Sequence, residues 1–265
     1  MHHILSAAVL LIAGIFLVAK GGDRFVDSAS WIARAAGIPA FIIGATIVSI
    51  ATTLPEITVS VMAAMQGSTE LAAGNAVGTV ISNTGLILGI AFFFMNTIRR
   101  SDYLVQSLLL IFSAAVIWWG CQNGFLSTPA TILLMIFFFI FVYRNLSAGR
   151  RHRQNTRETR EHMDTSRRNI IRNMLGFFFG AADILIGSRL MVFGGTSLAQ
   201  LLGIPERIIG ITVVAVGTSI PELVTTLTAI RKKEHDLSAG NIIGANILDL
   251  TLILPPCWPP ESRFR

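Results

Sequence analysis

Two glutamates lie inside long apolar stretches of this sequence, and each directly follows a proline. Glu56 follows Pro55, and Glu222 follows Pro221. An ionisable group at the centre of a bilayer costs at least ~2.5 kcal/mol on insertion scales, so a carboxylate there requires a compensating partner, of which a cation is the simplest. Each proline removes a helical N–H and clashes with the preceding turn, which frees carbonyl oxygens to face the same ion. The two pairs therefore predict a cation site within a membrane.

Further oxygen atoms accompany each glutamate. Asn83 and Asp249 follow their glutamates at equal distances along the chain, each on the next apolar segment. Asn75 and Asn241 precede them, and we expect these amides to hydrogen-bond between helices rather than to bind the ion. Carboxylates, carbonyls and hydroxyls without a soft ligand favour a hard cation, and calcium takes ~6–8 oxygens at flexible geometry. The hydroxyl groups beside the two glutamates belong to Thr52, Thr53, Thr218 and Ser219.

These polar residues belong to a segment that the chain contains twice. Gly44–Leu88 aligns with Gly210–Leu254 at a constant offset and without a gap. Roughly a third of the aligned positions are identical, and they include many Gly, Pro, Thr, Asn and Glu residues, which a shared apolar composition does not explain. The polar and glycine pairs are Gly44/Gly210, Thr46/Thr212, Thr52/Thr218, Pro55/Pro221, Glu56/Glu222, Gly74/Gly240, Asn75/Asn241 and Gly78/Gly244.

The composition is that of a membrane protein. Of 265 residues, 52% are hydrophobic and 14% are charged, whereas soluble proteins average about 25% charged residues. A helix that crosses a bilayer needs ~20 apolar residues. The formal net charge of +6 lies in basic loops, so it predicts membrane topology and no nucleic-acid partner. About eight spans are predicted, at 4–19, 39–65, 71–95, 104–120, 131–142, 170–193, 208–230 and 237–254.

The distribution of basic residues predicts the orientation. Lys and Arg concentrate in the loops after the first, third, fifth and seventh spans, which places those loops inside and the N-terminus outside. Five spans separate the starts of the two halves, so the copies insert in opposite directions. The sequence thus predicts an all-α polytopic membrane protein with an inverted-topology repeat. Its predicted parts are a first half at 1–145, a cytoplasmic basic linker at 146–168, a second half at 169–254 and a Pro-rich tail at 255–265.

The repeated segments resemble the two alpha-repeats of the calcium/cation antiporter superfamily, the sodium/calcium exchangers. The resemblance rests on GATIVSIATTLPEITVSVMAA with GNAVGTVISNTGLIL, and on GITVVAVGTSIPELVTTLTA with GNIIGANILDLTLIL. It implies two inverted halves of five helices each in the bacterial inner membrane, with calcium and sodium as transported ions and no cofactor. It also implies a calcium site that consists of Glu56, Glu222 and the carbonyls of Thr52 and Thr218. The implied sodium or supporting positions are Ser49, Thr53, Thr79, Asn83, Ala215, Ser219 and Asp249.

The sequence departs from this family pattern in three places, of which Thr52-Thr53 instead of the usual Thr-Ser is a conservative change. Thr79 keeps a hydroxyl at the position after Gly78, whereas its repeat partner is Ala245. After Leu254 the chain reads PPCWPPESRFR, which cannot form a membrane helix, although the family has two more helices there. We expect a truncated or frame-shifted product, or a protein that lacks the last two family helices.

The predicted function is exchange of calcium for sodium by alternating access at a site near the membrane midplane. A proton-driven or potassium-dependent exchanger and a truncated fragment with a structural role are the alternatives. A membrane-embedded hydrolase is disfavoured, because the sequence has no nucleophile with its base, no zinc motif and no substrate-binding loop. We therefore expect a transporter and not an enzyme.

Overall fold

A computed structural model describes residues 2–67, 69–94, 100–122, 126–155, 164–204 and 215–257. All regular structure within these ranges is helical, as a bilayer requires of a chain that must satisfy its own backbone hydrogen bonds. The helices of the first half are α1 (His2–Ala36), α2 (Ala40–Thr52), α3 (Leu54–Met65), α4 (Thr69–Ser82, continued by Asn83–Ile87 and Leu88–Phe94), α5 (Arg100–Gly120) and α6 (Thr128–Asn155). Those of the second half are α7 (Arg167–Leu201), α8 (Ala215–Thr218), α9 (Ile220–Arg231) and α10 (His235–Leu248, continued by Asp249–Ile253 and Leu254–Cys257).

The first helices of the two halves, α1 and α7, pack against each other as an antiparallel pair. Glycines bring the two backbones into direct contact: a Cβ added to Gly14 would lie 2.7 Å from the carbonyl oxygen of Gly187, and one added to Gly21 would lie 2.9 Å from that of Gly180. At the offset that aligns the two copies, α1 also aligns with α7, so their antiparallel contact confirms that the two halves are inverted. α1 is a single helix of 35 residues and continues well beyond the predicted span at 4–19.

Each repeat contains a helix that is interrupted two residues before its proline. α2 ends at Thr52 and α3 begins at Leu54, with a bend of 48° between them. In the second half, α8 ends at Thr218 and α9 begins at Ile220, so Ser219 occupies the matched break. Both prolines lie in the first turn of the new helix, where the missing N–H would have had no helical partner in any case.

Within the described ranges, three turns are wider than an α-helix and have π-helical hydrogen bonding, at Gly44–Val48, Asn83–Ile87 and Asp249–Ile253. The last two occupy matched positions in the repeat, so both copies contain the same deformation. Such turns insert an extra residue into a helix and are frequent at functional sites. Sequence periodicity did not predict them.

The described parts of the predicted spans fall on helices, with breaks at Thr53 and Ser219, whereas 208–214 of the seventh span lies outside the described residues. The helices extend past several predicted ends. α6 continues to Asn155, through Arg144 and into the predicted basic linker. Four described helices are long and apolar enough to cross a membrane, and the bent pair α2–α3 makes a fifth. The number of crossings and the outside N-terminus stay predictions. Helix α10 continues through Cys257, while residues 205–214 and 258–265 lie outside the described ranges.

Helix α10 is central to the bundle and positions the polar segments. Its glycines contact α2 at very close range: a Cβ on Gly240 would lie 2.2 Å from the carbonyl oxygen of Phe41. A Cβ on Gly244 would meet Ala45 and Ser49. The second repeat thus lies directly against the broken helix of the first, which brings the two Pro-Glu segments to the centre of the molecule.

Candidate functional site

The two motif glutamates occupy equivalent places in the two repeats. Glu56 lies in the first turn of α3 and Glu222 in the first turn of α9, each shortly after the helix break. Both are 0% exposed. The partial positive charge of a helix N-terminus favours a carboxylate in its first turn, but two buried carboxylates still require a cationic partner.

The carboxylates of the two repeats lie close to each other. Thr53, at the break of the first copy, donates a hydrogen bond to the Glu222 carboxylate of the second copy over 3.5 Å. Glu56 interacts electrostatically with both Glu222 and Asp249. Both oxygens of Glu56, both of Asp249 and one of Glu222 are buried without a hydrogen-bond partner among the described residues. Such unpartnered acceptors are costly unless a ligand satisfies them.

Asparagine side chains hold the broken helices against their neighbours. Asn75 donates to the hydroxyl of Ser60 over 3.0 Å and to the main-chain carbonyl of Glu56 over 3.4 Å. Thr52 donates to the side-chain oxygen of Asn241 over 3.2 Å, which links the two repeats. The expected interhelical role of the two asparagines is therefore confirmed. At Gly74, the repeat partner of Gly240, no described atom lies within 4 Å of an added Cβ, and the counterpart of Phe41, at position 207, lies outside the described residues.

The residues predicted on the following helices reach the same region. Asn83 and Asp249 are both fully buried, and each begins one of the matched π-helical turns. Neither the amide of Asn83 nor the carboxylate of Asp249 has a described partner. Thr79, one turn before Asn83, is also buried, and its hydroxyl has no partner among the described residues. Ser49 is buried on α2, where its carbonyl accepts a hydrogen bond from Thr52.

The second copy places its predicted residues around the matched break. Ser219 forms the break itself, and its buried hydroxyl has no described partner. Thr218 precedes it and lines two cavities. Ala215 begins the short helix α8. All predicted site residues except Ala215, whose backbone alone is described, are therefore placed on the paired breaks or on the helices that face them.

The arrangement suits an oxygen-coordinated ion that is held by mixed ligands. Among the described residues, no three Asp, Glu, His or Cys side chains converge tightly enough to hold a metal ion by themselves. Carbonyl oxygens can supply the remaining ligands, since Pro55 and Pro221 cannot donate to the carbonyls four residues earlier, those of Ala51 and Gly217. Such a site contains only hard oxygen donors.

A cavity of about 490 Å³ leads to the helix breaks from one side. Its inner wall includes Pro55, Thr218 and Pro221, and its outer wall is the C-terminal half of α7. Sequence reasoning missed the polar lining that α7 contributes. The residues of this lining are Ser188, Arg189, Thr196, Ser197 and Gln200.

An all-helical membrane protein with an inverted repeat and buried carboxylates at paired helix breaks has the architecture of a secondary transporter. Comparison with known proteins gives the same class. The family described as "Sodium/calcium exchanger protein" matches residues 6–146 and 172–259. The chain therefore belongs to the sodium/calcium exchanger family, and it is a multi-pass inner-membrane protein.

Individual relatives cover most of the chain. The inner membrane protein YrbG of Escherichia coli is 37% identical in a gapped alignment 257 positions long, which covers 94% of this chain and 78% of that protein. The sodium/calcium exchanger MaX1 of Methanosarcina acetivorans is 32% identical in a gapped alignment 282 positions long, which covers 93% of this chain and 81% of that protein. A solved structure of the sodium-calcium exchanger NCX_Mj superposes with a TM-score of 0.83 and 29% identity, over 96% of this chain and 82% of that one.

Proposed function

We propose that this protein exchanges calcium for sodium across the membrane by alternating access to a site between Glu56 and Glu222. The observation that supports this most strongly is that both glutamates are fully buried at matched helix breaks, with carboxylate oxygens that have no described partner. Two buried acids contributed by inverted repeats are equivalent with respect to the two sides of the membrane. This equivalence is what a site needs if it is to open to either side in turn.

Calcium would bind to the two glutamates and to the carbonyls of Thr52 and Thr218, by resemblance to the family. The sodium or supporting ligands would come from the flanking positions of the two copies. These are Ser49, Thr53, Thr79 and Asn83 of the first copy, and Ala215, Ser219 and Asp249 of the second.

Exchange follows from competition for the same carboxylates. One calcium ion brings two positive charges to Glu56 and Glu222, and sodium ions bring one each. Because both cations need the same oxygen atoms, the binding of one releases the other. With either cation bound, the buried negative charge is compensated and the occupied site can be enclosed. With no cation, enclosing the carboxylates would bury uncompensated charge, which is strongly unfavourable.

Calcium uptake into proteoliposomes loaded with sodium tests the proposal. We expect Glu56→Gln and Glu222→Gln to reduce uptake at least about 100-fold, because the loss of one partner from a buried charge pair costs about 3–5 kcal/mol. Glu234→Gln is the matched control, since Glu234 lies outside the site in an ion pair with Arg34, and its uptake should stay near wild type. Unchanged uptake in either site variant would refute the assignment.

Exchange with protons is the second candidate. The unpartnered oxygens of Glu56 and Asp249 could bind protons as well as sodium. Uptake driven by a pH gradient without sodium separates the two, and addition of potassium to the same vesicles tests a potassium requirement. Sodium-driven uptake that is insensitive to an imposed pH gradient supports the first candidate.

A further inference from the structure

The cavity beside α7 has one charged residue in its described lining, Arg189. Its position there is well defined: Ser188 and Val192 line the same wall, and Thr218 and Pro221 lie on the opposite wall at the helix break. Glu222 follows Pro221 directly. Arg189 therefore lines this cavity, the open route, which reaches the helix break next to the candidate ion site.

Arg189 is exposed and makes no hydrogen bond or ion pair with the part of the chain that the structure describes. Other charged residues of the α1–α7 pair do have partners, such as Arg24 with Asp183 at 2.8 Å. An unpaired arginine on a membrane helix is expensive in hydrocarbon, so it is expected to face a water-filled cavity. This favours a hydrated route, in which the arginine remains charged.

The residue that matches Arg189 in the other half of the chain has the opposite charge. At the offset that aligns the two copies, Arg189 corresponds to Asp23 and Ser188 to Gly22 on α1. Asp23 forms ion pairs with Arg231 and Lys232 at the turn between α9 and α10. This side of the site is closed, because a Cβ on Gly22 would lie 2.9 Å from Val224 of α9.

Inverted repeats exchange roles when a transporter changes the side to which it opens. The route that is closed here would then be lined by Asp23, as the open route is lined by Arg189. Asp27 lies one turn further along α1 and is held by Lys232 at 2.7 Å. The two access routes therefore differ in charge: the open one carries a fixed positive charge, and the closed one carries carboxylates with their lysine and arginine partners.

We propose that Arg189 is a specificity-determining residue of the open route, where its positive charge opposes the approach of divalent cations more than that of monovalent cations. The proposal rests on the proposed function, cation transport through Glu56 and Glu222. Coulomb repulsion is proportional to the charge of the approaching ion. A fixed positive charge therefore penalises calcium by twice the free energy that it imposes on sodium, and it makes apparent affinities differ between the two faces.

The test measures half-saturating cation concentrations in right-side-out and inverted membrane vesicles that contain the full chain. At low ionic strength, Arg189→Gln should lower the half-saturating calcium concentration about three- to tenfold at the face to which the cavity leads. The sodium value should fall by about the square root of that factor, roughly two- to threefold. Arg189→Glu changes the charge by twice as much, so its calcium factor should be the square of that of Arg189→Gln. Raising the salt concentration should shrink every difference.

Two controls separate the charge effect from a structural one. Arg189→Lys should restore the wild-type values, since it keeps the charge but changes the shape of the side chain. Arg24→Gln makes the same substitution on the paired helix outside the cavity lining and should not shift the calcium-to-sodium ratio. Equal half-saturating concentrations in wild type and Arg189→Gln, or equal factors for calcium and sodium, would overturn the proposal.

The outcome for Arg189 can be distinguished from that for the proposed function. If wild type and all variants lack sodium-driven calcium uptake, the proposed exchange is wrong. Equilibrium binding of radioactive calcium to the detergent-solubilised protein then tests Arg189 directly. Tighter calcium binding in Arg189→Gln and still tighter binding in Arg189→Glu would support its role, and identical binding would contradict it.

Discussion

The two copies of the repeated segment share their chemistry, whereas the contacts that the described residues make around them differ. Both place a glutamate in the first turn after a helix break, and both begin a π-helical turn at the polar residue of the next helix. In the second copy, Gly240 and Gly244 lie directly against the backbone of α2. In the first copy, the matched Gly74 and Gly78 line a cavity of about 480 Å³ and contact no described atom at their Cβ positions.

The features that both copies share are the helix breaks, the buried glutamates and the π-helical turns, and these features form the candidate site. The surrounding contacts are asymmetric: Thr53 hydrogen-bonds to Glu222, whereas the matched Ser219 hydroxyl and both Glu56 oxygens have no described partner. Both glutamates are nevertheless equally buried, at 0% exposure.

The largest expected effect concerns the two matched glycines of this comparison. Gly240→Ala forces a methyl group to within 2.2 Å of the Phe41 carbonyl oxygen, and we expect a loss of about 3 kcal/mol or more in stability, because backbone atoms must move. Gly74→Ala should cost little, since a methyl group there meets no described atom. Thermal unfolding in detergent measures both. The matched counterparts of Phe41 and Ala45, at positions 207 and 211, lie outside the described residues, and equal destabilisation by both substitutions would show that the two glycines are in equally close contacts.

The second prediction uses the charge difference between the copies within the candidate site, Asn83 against Asp249. Asp249→Asn should reduce sodium-driven calcium uptake about 10- to 100-fold, since one carboxylate ligand is lost from a site with buried charges. The double variant Asn83→Asp with Asp249→Asn restores the total charge in the other copy and should recover part of the activity. If the double variant is no better than Asp249→Asn, the position of the charge matters more than its presence.

The third prediction compares the two asparagines. Asn75→Ala removes donors to Ser60 and to the Glu56 carbonyl, and we expect a loss of about 1–2 kcal/mol in stability. Asn241→Ala should cost less, about 0.5–1 kcal/mol, because its side-chain nitrogen is already without a described partner. Denaturation in detergent measures which substitution loses more stability. A larger loss for Asn241→Ala than for Asn75→Ala would contradict the inference that Asn75 makes the stronger hydrogen bonds.

The smallest expected effect concerns the ion pairs that join α1 to the turn between α9 and α10. Arg34 pairs with Glu234 at 2.9 Å, and its side chain is 57% exposed. Arg34→Ala should change stability by at most about 1 kcal/mol, and less at high salt. A larger loss of stability that persists at high salt would show that the contact between α1 and the turn after α9 is stronger than an exposed ion pair.

Much of the fold and of the candidate site could be predicted from the sequence, because the two copies share identical polar, proline and glycine residues at matched positions. The constant offset between the copies identifies both glutamates, the inverted halves and the equivalence of Asn83 with Asp249. The lengths of the helices could not be predicted as well, since hydropathy reports the part of a helix in lipid and not where the helix ends. α6 therefore continues through Arg144 and Arg150 to Asn155, where the charge pattern predicts a solvated linker.

Other features leave no trace in hydrophobic periodicity. A π-helical turn changes the hydrogen-bond spacing over a single turn, which is too short to alter the pattern of an apolar helix. The close contact of Gly240 with Phe41 could not be predicted either, because both copies have the same Gly-Asn pair and the sequence does not show which helix packs against it. The alignment of the repeats shows that Asp23 and Arg189, which have opposite charges, occupy matched positions. A role for Arg189 can be inferred only because the structure places it in the cavity beside α7.

The π-helical turns at Asn83 and Asp249 are places where the chain can change in length. Each turn accommodates one residue more than an α-helix would hold over the same rise, so the helix faces before and after the turn stay aligned. Deleting a single residue from Asn83–Ile87 would return this turn to α-geometry and leave the flanking faces nearly unchanged, whereas a deletion within Thr69–Ser82 would rotate everything beyond it by about 100°. Natural variants of this chain should therefore lose a residue at these two turns more readily than in the α-helical turns beside them.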